Sequence, residues 1–299
     1  MSYFHNKRIW VTGASSGIGR SVAIKLSKLG AEVILTARNR DKLEEVKKEC
    51  GNAKAHIFDH DLSKLESIDD LVNRVTREVG SIDILFNNAG VSAYSAANET
   101  DFNVYTQVMN LNFLSVVKLT KCLLPQMISN KKGQIVTNTS LSGKFGSKKR
   151  TVYASSKHAL HGFMDSLRAE VHEHNIKVNT VAPGFVNTEI GMKALTGDGT
   201  PYGANDRGHE SQGMDLDKAS EMIIKSIEAN KREAYIVPRI SFPKIALIGA
   251  GSTVFMKNIV GDVLQWEALK GVHFSLMDIN EQRLLESEMV FKKLVSSLE

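Results

Sequence analysis

Residues 9–19 have the sequence Ile-Trp-Val-Thr-Gly-Ala-Ser-Ser-Gly-Ile-Gly, an apolar run followed by three closely spaced glycines. Glycines at a strand-to-helix turn let the backbone approach a pyrophosphate, and the helix N-terminus adds amide donors and a partial positive charge. The spacing is G-x-x-x-G-x-G and not the more common G-x-G-x-x-G. Because a glycine-rich turn can also serve tight packing alone, the ligand-binding interpretation depends on the rest of the chain.

Beyond this turn, β-branched runs alternate with helical periodicity. Strands are predicted at 9–12, 33–36, 56–58, 82–86, 135–138, 178–181 and 234–237, and helices at 17–29, 40–50, 64–79, 102–130, 152–173 and 217–230. Several strands lack in/out alternation, as strands buried on both faces do. The pattern predicts an α/β fold, a doubly wound parallel sheet of Rossmann type with seven strands and with ligands at the carboxyl ends of the strands.

Two segments depart from this alternation. Residues 185–215 are rich in Gly, Thr, Asp and Asn and follow a strand end, which is typical of a substrate lid. After two prolines a further unit is predicted, with strands at 244–248 and 272–279 and helices at 254–269 and 281–297. We therefore predict a first domain at 1–240 and an appended, partial Rossmann-like β-α-β-α half unit at 241–299.

Composition excludes several classes of protein. Hydrophobic content of 42% and charged content of 24% are ordinary for a globular protein, and a net charge of +5 without a long basic arm indicates no nucleic-acid partner. No apolar run approaches the roughly 18 residues of a membrane span and no leader is apparent, so we predict a cytoplasmic location. The two cysteines, Cys50 and Cys122, are expected to be reduced, and no Cys/His spacing suits a metal.

Three motifs at other strand ends agree with a dinucleotide site. The Asp61 carboxylate, next to Leu62, can accept a hydrogen bond from an adenine amino group. The small residues of Asn88-Ala89-Gly90 leave room for ribose and nicotinamide. After Pro183-Gly184, Thr188 is placed for the nicotinamide carboxamide.

Tyr153 and Lys157 lie one helical turn apart and so share a face. A phenol with a pKa of about 10 is a poor base at neutral pH. A nearby ammonium and a positive nicotinamide ring both favour the phenolate. Lys157 can also hydrogen-bond the ribose hydroxyls, although a Tyr and a Lys at this spacing are commonly only surface neighbours.

Together the T-G-x-x-x-G-I-G, N-N-A-G and Y-x-x-x-K motifs resemble those of the short-chain dehydrogenase/reductase family over about residues 5–237. The resemblance implies that Ser140, thirteen residues before Tyr153, holds the substrate oxygen. It also implies that Asn112 anchors a water leading protons to Lys157. The predicted catalytic set is Tyr153, Lys157, Ser140 and Asn112. The predicted cofactor set is Gly13, Ser15, Ser16, Gly17, Ile18, Gly19, Arg38, Asp61, Leu62, Asn88, Ala89, Gly90, Tyr153, Lys157, Pro183, Gly184, Val186 and Thr188.

The end of the second predicted strand bears on the choice of cofactor. Chains that prefer NAD usually carry Asp or Glu there. Here residues 36–40 are Thr-Ala-Arg-Asn-Arg, and the guanidinium of Arg38 can hold a 2′-phosphate. We expect NADP(H) to be preferred, with NAD(H) as the alternative if Arg38 is only a surface charge.

The resemblance implies hydride transfer between this cofactor and a carbonyl or secondary alcohol. Residues 194–203 resemble an A-D-G-x-x-Y-G lid found in enzymes of lipophilic, steroid-like or lipid-like carbonyls, with Gly197 where that pattern often has Ala. An apolar pocket is predicted from Val91, Phe145, Phe185 and Tyr202, which could equally be packing residues. His158 and His161 are predicted to be structural or interface residues.

Two alternatives stay open. A cofactor-sensing regulator without enzymatic activity would usually lose the tyrosine or the lysine, and both are present. The segment 244–255 with Leu276-Met277-Asp278-Ile279 resembles the N-terminal NAD-binding unit of α-galactosidase-type glycosidases, whose metal-binding Cys and His lie further along than residue 299. We expect this half unit to bind no NAD usefully. Because family members pair the helices predicted at 102–130 and 152–173, a homodimer or homotetramer is expected.

Overall fold

The computed structural model describes residues 2–51, 54–203, 213–238, 244–248 and 273–277. The chain divides into two compact units, Met1–Val237 and Pro238–Glu299. Among the described residues, no helix combines the length and the apolar character needed to cross a membrane.

The first unit contains a parallel sheet of seven strands in the order β3-β2-β1-β4-β5-β6-β7. The strands are β1 Arg8–Thr12, β2 Glu32–Ala37, β3 Ala55–Asp59, β4 Ile84–Asn87, β5 Gly133–Asn138, β6 Ile176–Pro183 and β7 Glu233–Ile236. The predicted fold class and all seven predicted strands are confirmed. The order reverses between β1 and β4, which places a ligand crevice beyond their carboxyl ends.

Helices cover both faces of the sheet. They are α1 Gly17–Lys28, α2 Arg40–Glu49, α3 Ile68–Val79, α4 Phe102–Met109, α5 Ser115–Ser129, α6 Thr151–Glu170 and α7 Leu216–Glu228. The helix predicted at 102–130 is interrupted by a π-helical segment, Asn110–Leu114. Such segments are rare and often mark functional sites.

The core forms two layers because successive residues of a strand face opposite sides of the sheet. Ile9 and Val11 of β1 pack on the side of α1 and α7. Trp10 packs on the side of α3, α5 and α6. The indole Nε1 of Trp10 is satisfied by donating to Thr36 Oγ1 at 2.9 Å, which is required of a fully buried tryptophan.

The described part of the predicted lid is hydrogen-bonded to the segment that follows β4. Leu195 N donates to Ser92 O at 2.8 Å, and Tyr94 N donates to Leu195 O at 2.9 Å. Asp101 N donates to Gly197 O at 2.8 Å. These bonds hold Leu195 and Gly197 against the segment that follows β4.

In the second unit, β8 Lys244–Ile248 and β9 His273–Met277 pair in parallel, from Lys244 with His273 to Ile248 with Met277. Both strands agree with the strands predicted there. The predicted helices 254–269 and 281–297 lie outside the described residues, and so does Asp278 of the glycosidase-like segment.

Candidate active site

A cavity of about 620 Å³ opens at the carboxyl ends of the strands, at the point where the strand order reverses. It is lined by every residue of the predicted cofactor set except Gly19 and by three of the four predicted catalytic residues, Ser140, Tyr153 and Lys157. Asn112 does not line it. The tertiary structure therefore brings residues from six strand ends and two helices into one site.

The glycine turn after β1 is shaped for close backbone approach. A Cβ atom on Gly19 would lie 2.3 Å from Gly13 O and 2.4 Å from Asn88 Nδ2, so only glycine fits. Gly13 has φ of +65°, which side chains rarely adopt. No side chain caps the start of α1 at Ser16. The first amides of α1 are thus available to an anion.

Thr12 and Asn88 clamp the turn to the neighbouring strand end. Thr12 Oγ1 accepts from Asn88 N at 2.9 Å and from Ala89 N at 3.0 Å. Asn88 Nδ2 donates to Thr12 O at 3.0 Å, and Asn138 Nδ2 donates to Asn88 Oδ1 at 2.8 Å. Sequence reasoning missed Thr12 and Asn138, whose only signal was a polar residue at a strand end.

Arg38 and Arg40 differ in their surroundings. Arg40 forms ion pairs with Asp59 at 2.7 Å and with Glu44 at 3.7 Å. Arg38 is exposed at the cavity and makes no hydrogen bond or ion pair with the part of the chain that the structure describes. Lys42 lines the cavity beside it and was missed by the sequence analysis.

Asp61 lines the cavity and is ionised at neutral pH. Burial raises its pKa, but hydrogen bonds from Ser63 and the charges of Arg38 and Lys64 outweigh burial and bring the pKa below its ordinary value. Asp61 Oδ1 accepts from Ser63 Oγ at 2.7 Å and from Ser63 N at 3.0 Å. Its other oxygen can accept from a ligand.

Ser140 and Tyr153 lie together at the cavity. Burial raises the pKa of Tyr153 above its ordinary value of 10.0, while the hydrogen bond with Ser140 and the charge of Arg150 lower it without cancelling the rise. Lys157, the cation expected to act on this phenol, has its Nζ 5.7 Å from the ring centroid, and Arg150 adds a second positive charge nearby. Ser140 Oγ also accepts from Ser142 N at 3.1 Å, which orients the hydroxyl.

Lys157 is almost completely buried, with 5% of its surface exposed. Its Nζ donates to Asn138 O at 2.9 Å and lies 5.7 Å from the centroid of the Tyr153 ring. Burial lowers the pKa of Lys157 to about 8, because a desolvated ammonium loses its hydration. At neutral pH the side chain is still mostly an ammonium, and a negative or strongly polar group beside it would stabilise that charge further.

The chain is similar in sequence to known proteins. Residues 7–198 match the family model described as short chain dehydrogenase. The chain belongs to this family of oxidoreductases. It is 39% identical to "Dehydrogenase/reductase SDR family protein 7-like" of Anopheles gambiae, over 79% of this chain and 76% of that protein. It is also 39% identical to "Dehydrogenase/reductase SDR family member 7" of Homo sapiens, over 76% of this chain and 69% of that protein.

Solved structures agree on the fold of this dehydrogenase family member. A metagenomic short-chain oxidoreductase, solved in complex with NADP, is 34% identical with a TM-score of 0.59, over 61% of this chain and 84% of that one. A Burkholderia phymatum short chain dehydrogenase/reductase, solved in complex with NAD, has a TM-score of 0.70 over 79% of this chain and 90% of that one. At 23% identity it supports the fold alone. Residues 244–299 match the model described as Family 4 glycosyl hydrolase, in agreement with the resemblance of this segment.

Asn112 lies behind the active site of this dehydrogenase, in the π-helical segment. It is fully buried. Its Nδ2 donates to Val91 O at 2.9 Å and to Ser156 Oγ at 3.0 Å, and its Oδ1 accepts from Val91 N at 2.8 Å. Both amide hydrogens are thus used to hold α6 and the loop after β4 together.

The residues that line the cavity outside the predicted sets include several apolar side chains. Among them are Val91, Leu111, Ile190, Leu195 and Pro201, with the polar Gln107. The prediction for Val91 agrees with this lining. The prediction for Phe145, Phe185 and Tyr202 was wrong, because they do not line the cavity and are 57%, 59% and 37% exposed. Their loops turn these side chains outward, which periodicity within a loop does not reveal.

Gly197 has a structural reason for departing from the expected alanine. A Cβ atom there would lie 2.1 Å from Glu99 O and 2.8 Å from Ser95 Oγ. The loop passes so close to the segment after β4 that no side chain fits. This close approach accompanies the hydrogen bond between Asp101 N and Gly197 O.

The two histidines near the motif do not line the cavity. His158 Nδ1 lies 2.9 Å from Ala154 O, and the largely buried His161 has Nδ1 3.4 Å from Glu233 Oε1. Both cysteines are free thiols. Within the described residues, no group of three or more His, Cys, Asp and Glu is arranged to hold a metal.

Proposed function

We propose that this chain transfers hydride between NADP(H) and a carbonyl or secondary alcohol, with Tyr153, Lys157 and Ser140 at the reacting oxygen. The observation that carries the proposal is the placement of Ser140, Tyr153 and the buried Lys157 together in a cavity continuous with the uncapped glycine turn. Family membership alone would also fit a cofactor-sensing regulator. A regulator has no need of a phenol held against a hydroxyl.

Each residue has a distinct task in the proposed reduction. When bound, the nicotinamide supplies the hydride that adds to the carbonyl carbon. Tyr153 donates its proton to the carbonyl oxygen, which Ser140 holds by a hydrogen bond as negative charge develops. Lys157 binds the ribose hydroxyls through an ammonium that is already desolvated. In the oxidation of an alcohol, the same groups act in reverse and Tyr153 accepts the proton.

Asn112 is proposed to support the proton path. Because its amide hydrogens are donated to Val91 O and Ser156 Oγ, we assign the anchoring of a water to its backbone, where the π-helical segment interrupts the regular hydrogen-bond ladder. Its side chain joins Ser156, the residue before Lys157, to the loop after β4. Gly90 leaves room for this arrangement, since a Cβ there would lie 3.1 Å from Asn112 Oδ1 and 3.8 Å from Lys157 Nζ.

NADP(H) is the proposed cofactor because Arg38 lines the cavity with an exposed guanidinium that forms no hydrogen bond or ion pair with the described residues. Lys42 adds a second cation at the same end of the cavity. The metagenomic oxidoreductase solved with NADP supports this choice. The other three cofactor contacts, at the glycine turn, Asp61 and Thr188, suit either nicotinamide dinucleotide.

A lipophilic carbonyl is the proposed substrate class. The walls formed by Val91, Leu111 and Leu195 offer apolar contact, and the Gln107 amide offers one polar contact at the rim. Burial of apolar surface contributes about 25 cal/mol per Å². Larger apolar substituents on the carbonyl should therefore lower KM.

A panel of carbonyl compounds tests the proposed reaction. The parent chain should oxidise NADPH in the presence of at least one lipophilic aldehyde or ketone. The reaction is measured as the loss of NADPH absorbance. The Tyr153→Phe variant serves as the blank, because it keeps the cavity and loses the proton donor. Cofactor binding without turnover of any compound in either direction would favour the regulator.

The second unit is proposed to take no part in this chemistry, and we retain 1–240 as the catalytic domain. The two parallel strands that the structure describes in this unit form less than half of a dinucleotide domain, which needs two βαβαβ halves. We expect truncation after Pro238 to keep most of the reductase rate, measured with the best substrate of the panel. A folded, inactive truncation would contradict this, and so would a second dinucleotide bound by the full chain in equilibrium dialysis.

Assembly and location are likewise proposed. Phe102 at the start of α4 is 81% exposed, on the helix expected to pair across a two-fold axis. A homodimer or homotetramer would bury it. A cytoplasmic location stays a prediction from the sequence.

A further inference from the structure

Arg150, the residue before α6, joins segments on two sides of the active site. Its Nη1 donates to Ser92 Oγ at 2.7 Å and to Ala93 O at 3.4 Å. Its guanidinium lies over the Tyr94 ring, 5.0 Å from the centroid, within the range of a cation–π interaction. The planar fork of arginine makes these three contacts at once, which lysine cannot do.

The residues that Arg150 contacts, 92–94, directly follow Val91, which lines the cavity. Ser92 and Ala93 are buried, and Ala93 pairs with Leu195 in a short parallel bridge. The Tyr94 ring packs edge-on against Tyr202, with centroids 5.4 Å apart. Contacts from Arg150 therefore extend through one segment to the loop that carries Leu195 to the cavity.

The charge of Arg150 is not matched by a carboxylate. No acidic side chain in the described parts of the chain forms an ion pair with it, although the guanidinium is half-buried. A partly desolvated cation with neutral partners is costly unless it stabilises negative charge elsewhere. Arg150 O accepts from Ala154 N at 2.7 Å, so Arg150 directly precedes the helical turn that carries Tyr153.

We propose that Arg150 is a positioning residue for Tyr153: its fork holds residues 92–94 against the start of α6 and places a cation without a carboxylate partner among the described residues just before the turn that carries the phenol. This assignment rests on the proposed function, in which Tyr153 gives up and regains a proton. Burial raises the pKa of Tyr153, and the hydrogen bond with Ser140 and the charge of Arg150 oppose that rise. Loss of the guanidinium should therefore move the pKa of Tyr153 further upward.

Three variants separate charge from shape. Arg150→Met removes the charge and keeps length, Arg150→Lys keeps the charge and loses the fork, and Lys148→Met removes an exposed charge from the same loop. Each is titrated by ultraviolet absorbance of tyrosinate against the matching variant that also carries Tyr153→Phe. The difference isolates Tyr153 and requires no substrate. Circular dichroism confirms folding, and Arg150→Gln replaces Arg150→Met if the latter does not fold.

We expect Arg150→Met to raise the Tyr153 transition by at least about half a pH unit. The pH profile of kcat for alcohol oxidation should shift to higher pH by the same amount. At pH values below the transition, kcat should therefore fall about threefold. Arg150→Lys should leave the Tyr153 transition close to its parental pH. It should raise KM, because a guanidinium no longer holds residues 92–94 in place. Lys148→Met should change neither.

An unmoved Tyr153 transition in folded Arg150→Met would overturn the proposal. A rise in KM confined to anionic substrates, with the transition unmoved, would also overturn it and identify Arg150 as a substrate ligand. Absence of turnover with every carbonyl compound would refute the proposed function. The tyrosinate titration would still decide whether Arg150 acts on Tyr153.

Discussion

Replacing Tyr153 by Phe should lower turnover by at least about 10²-fold while cofactor affinity barely changes, because only proton transfer is lost. The ring keeps its packing, and Ser140 still orients the substrate oxygen. The measurement is kcat with a saturating carbonyl substrate, alongside the Kd for NADPH. A Phe variant with a near-normal rate would exclude Tyr153 as the acid.

Two further variants complete that test. Tyr105→Phe makes the same chemical deletion at a hydroxyl that contacts Thr151 Oγ1 at 3.2 Å and does not line the cavity, and it should retain the parental rate. Lys157→Ala should damage both kcat and cofactor affinity, since the ammonium is proposed to hold the ribose and to stabilise the phenolate.

The pKa of Tyr153 decides whether the rate of each reaction rises or falls with pH. Because burial keeps this pKa above its ordinary value of 10.0, the hydroxyl is protonated at neutral pH. Carbonyl reduction needs that acid form and should be lost as pH rises through the pKa. Alcohol oxidation needs the phenolate and should increase over the same range.

Replacing Arg38 by Asp should reverse the cofactor preference. In the parent chain we expect NADPH to bind at least about tenfold more tightly than NADH, which corresponds to about 1.4 kcal/mol. A carboxylate at this position repels the 2′-phosphate and can accept from a free ribose hydroxyl. The measurement is the ratio of the two Kd values.

Arg40→Ala is the matched control for that reversal. It removes an arginine two residues further along, at the start of α2, but one already paired with Asp59 and Glu44, and exposed pairs contribute little to stability. The ratio of Kd values should therefore stay parental. Equal affinities for NADPH and NADH in the parent chain would show that Arg38 does not contact the 2′-phosphate.

Local patterns were enough to predict most of the fold. Strands buried on both faces lack alternation, as in β4 and β6, and the helical periodicity between them is strong. The glycine turn is a local feature too, since its backbone conformation depends on residues adjacent in the chain. The shared face of Tyr153 and Lys157 follows from helical spacing alone.

Other features of the site depend on contacts between residues far apart in the chain. Asn112 interrupts a helix and clamps Val91 to Ser156, which no periodicity indicates. Arg150 precedes the Tyr-Lys motif, yet its role depends on Ser92 and Tyr94, more than fifty residues earlier. The outward orientation of Phe145 and the close approach at Gly197 likewise depend on how loops pack.

The sequence by itself determined the α/β class, the seven strands, the ligand-binding edge of the sheet and the resemblance of both segments to their families. Each of these follows from short-range periodicity or from motifs whose residues are close in the chain. Only the tertiary structure decided which charges are paired, which polar atoms are already satisfied and which apolar side chains reach the cavity. Those properties depend on distances between separate elements, because pairing and desolvation arise when strands, helices and loops pack together.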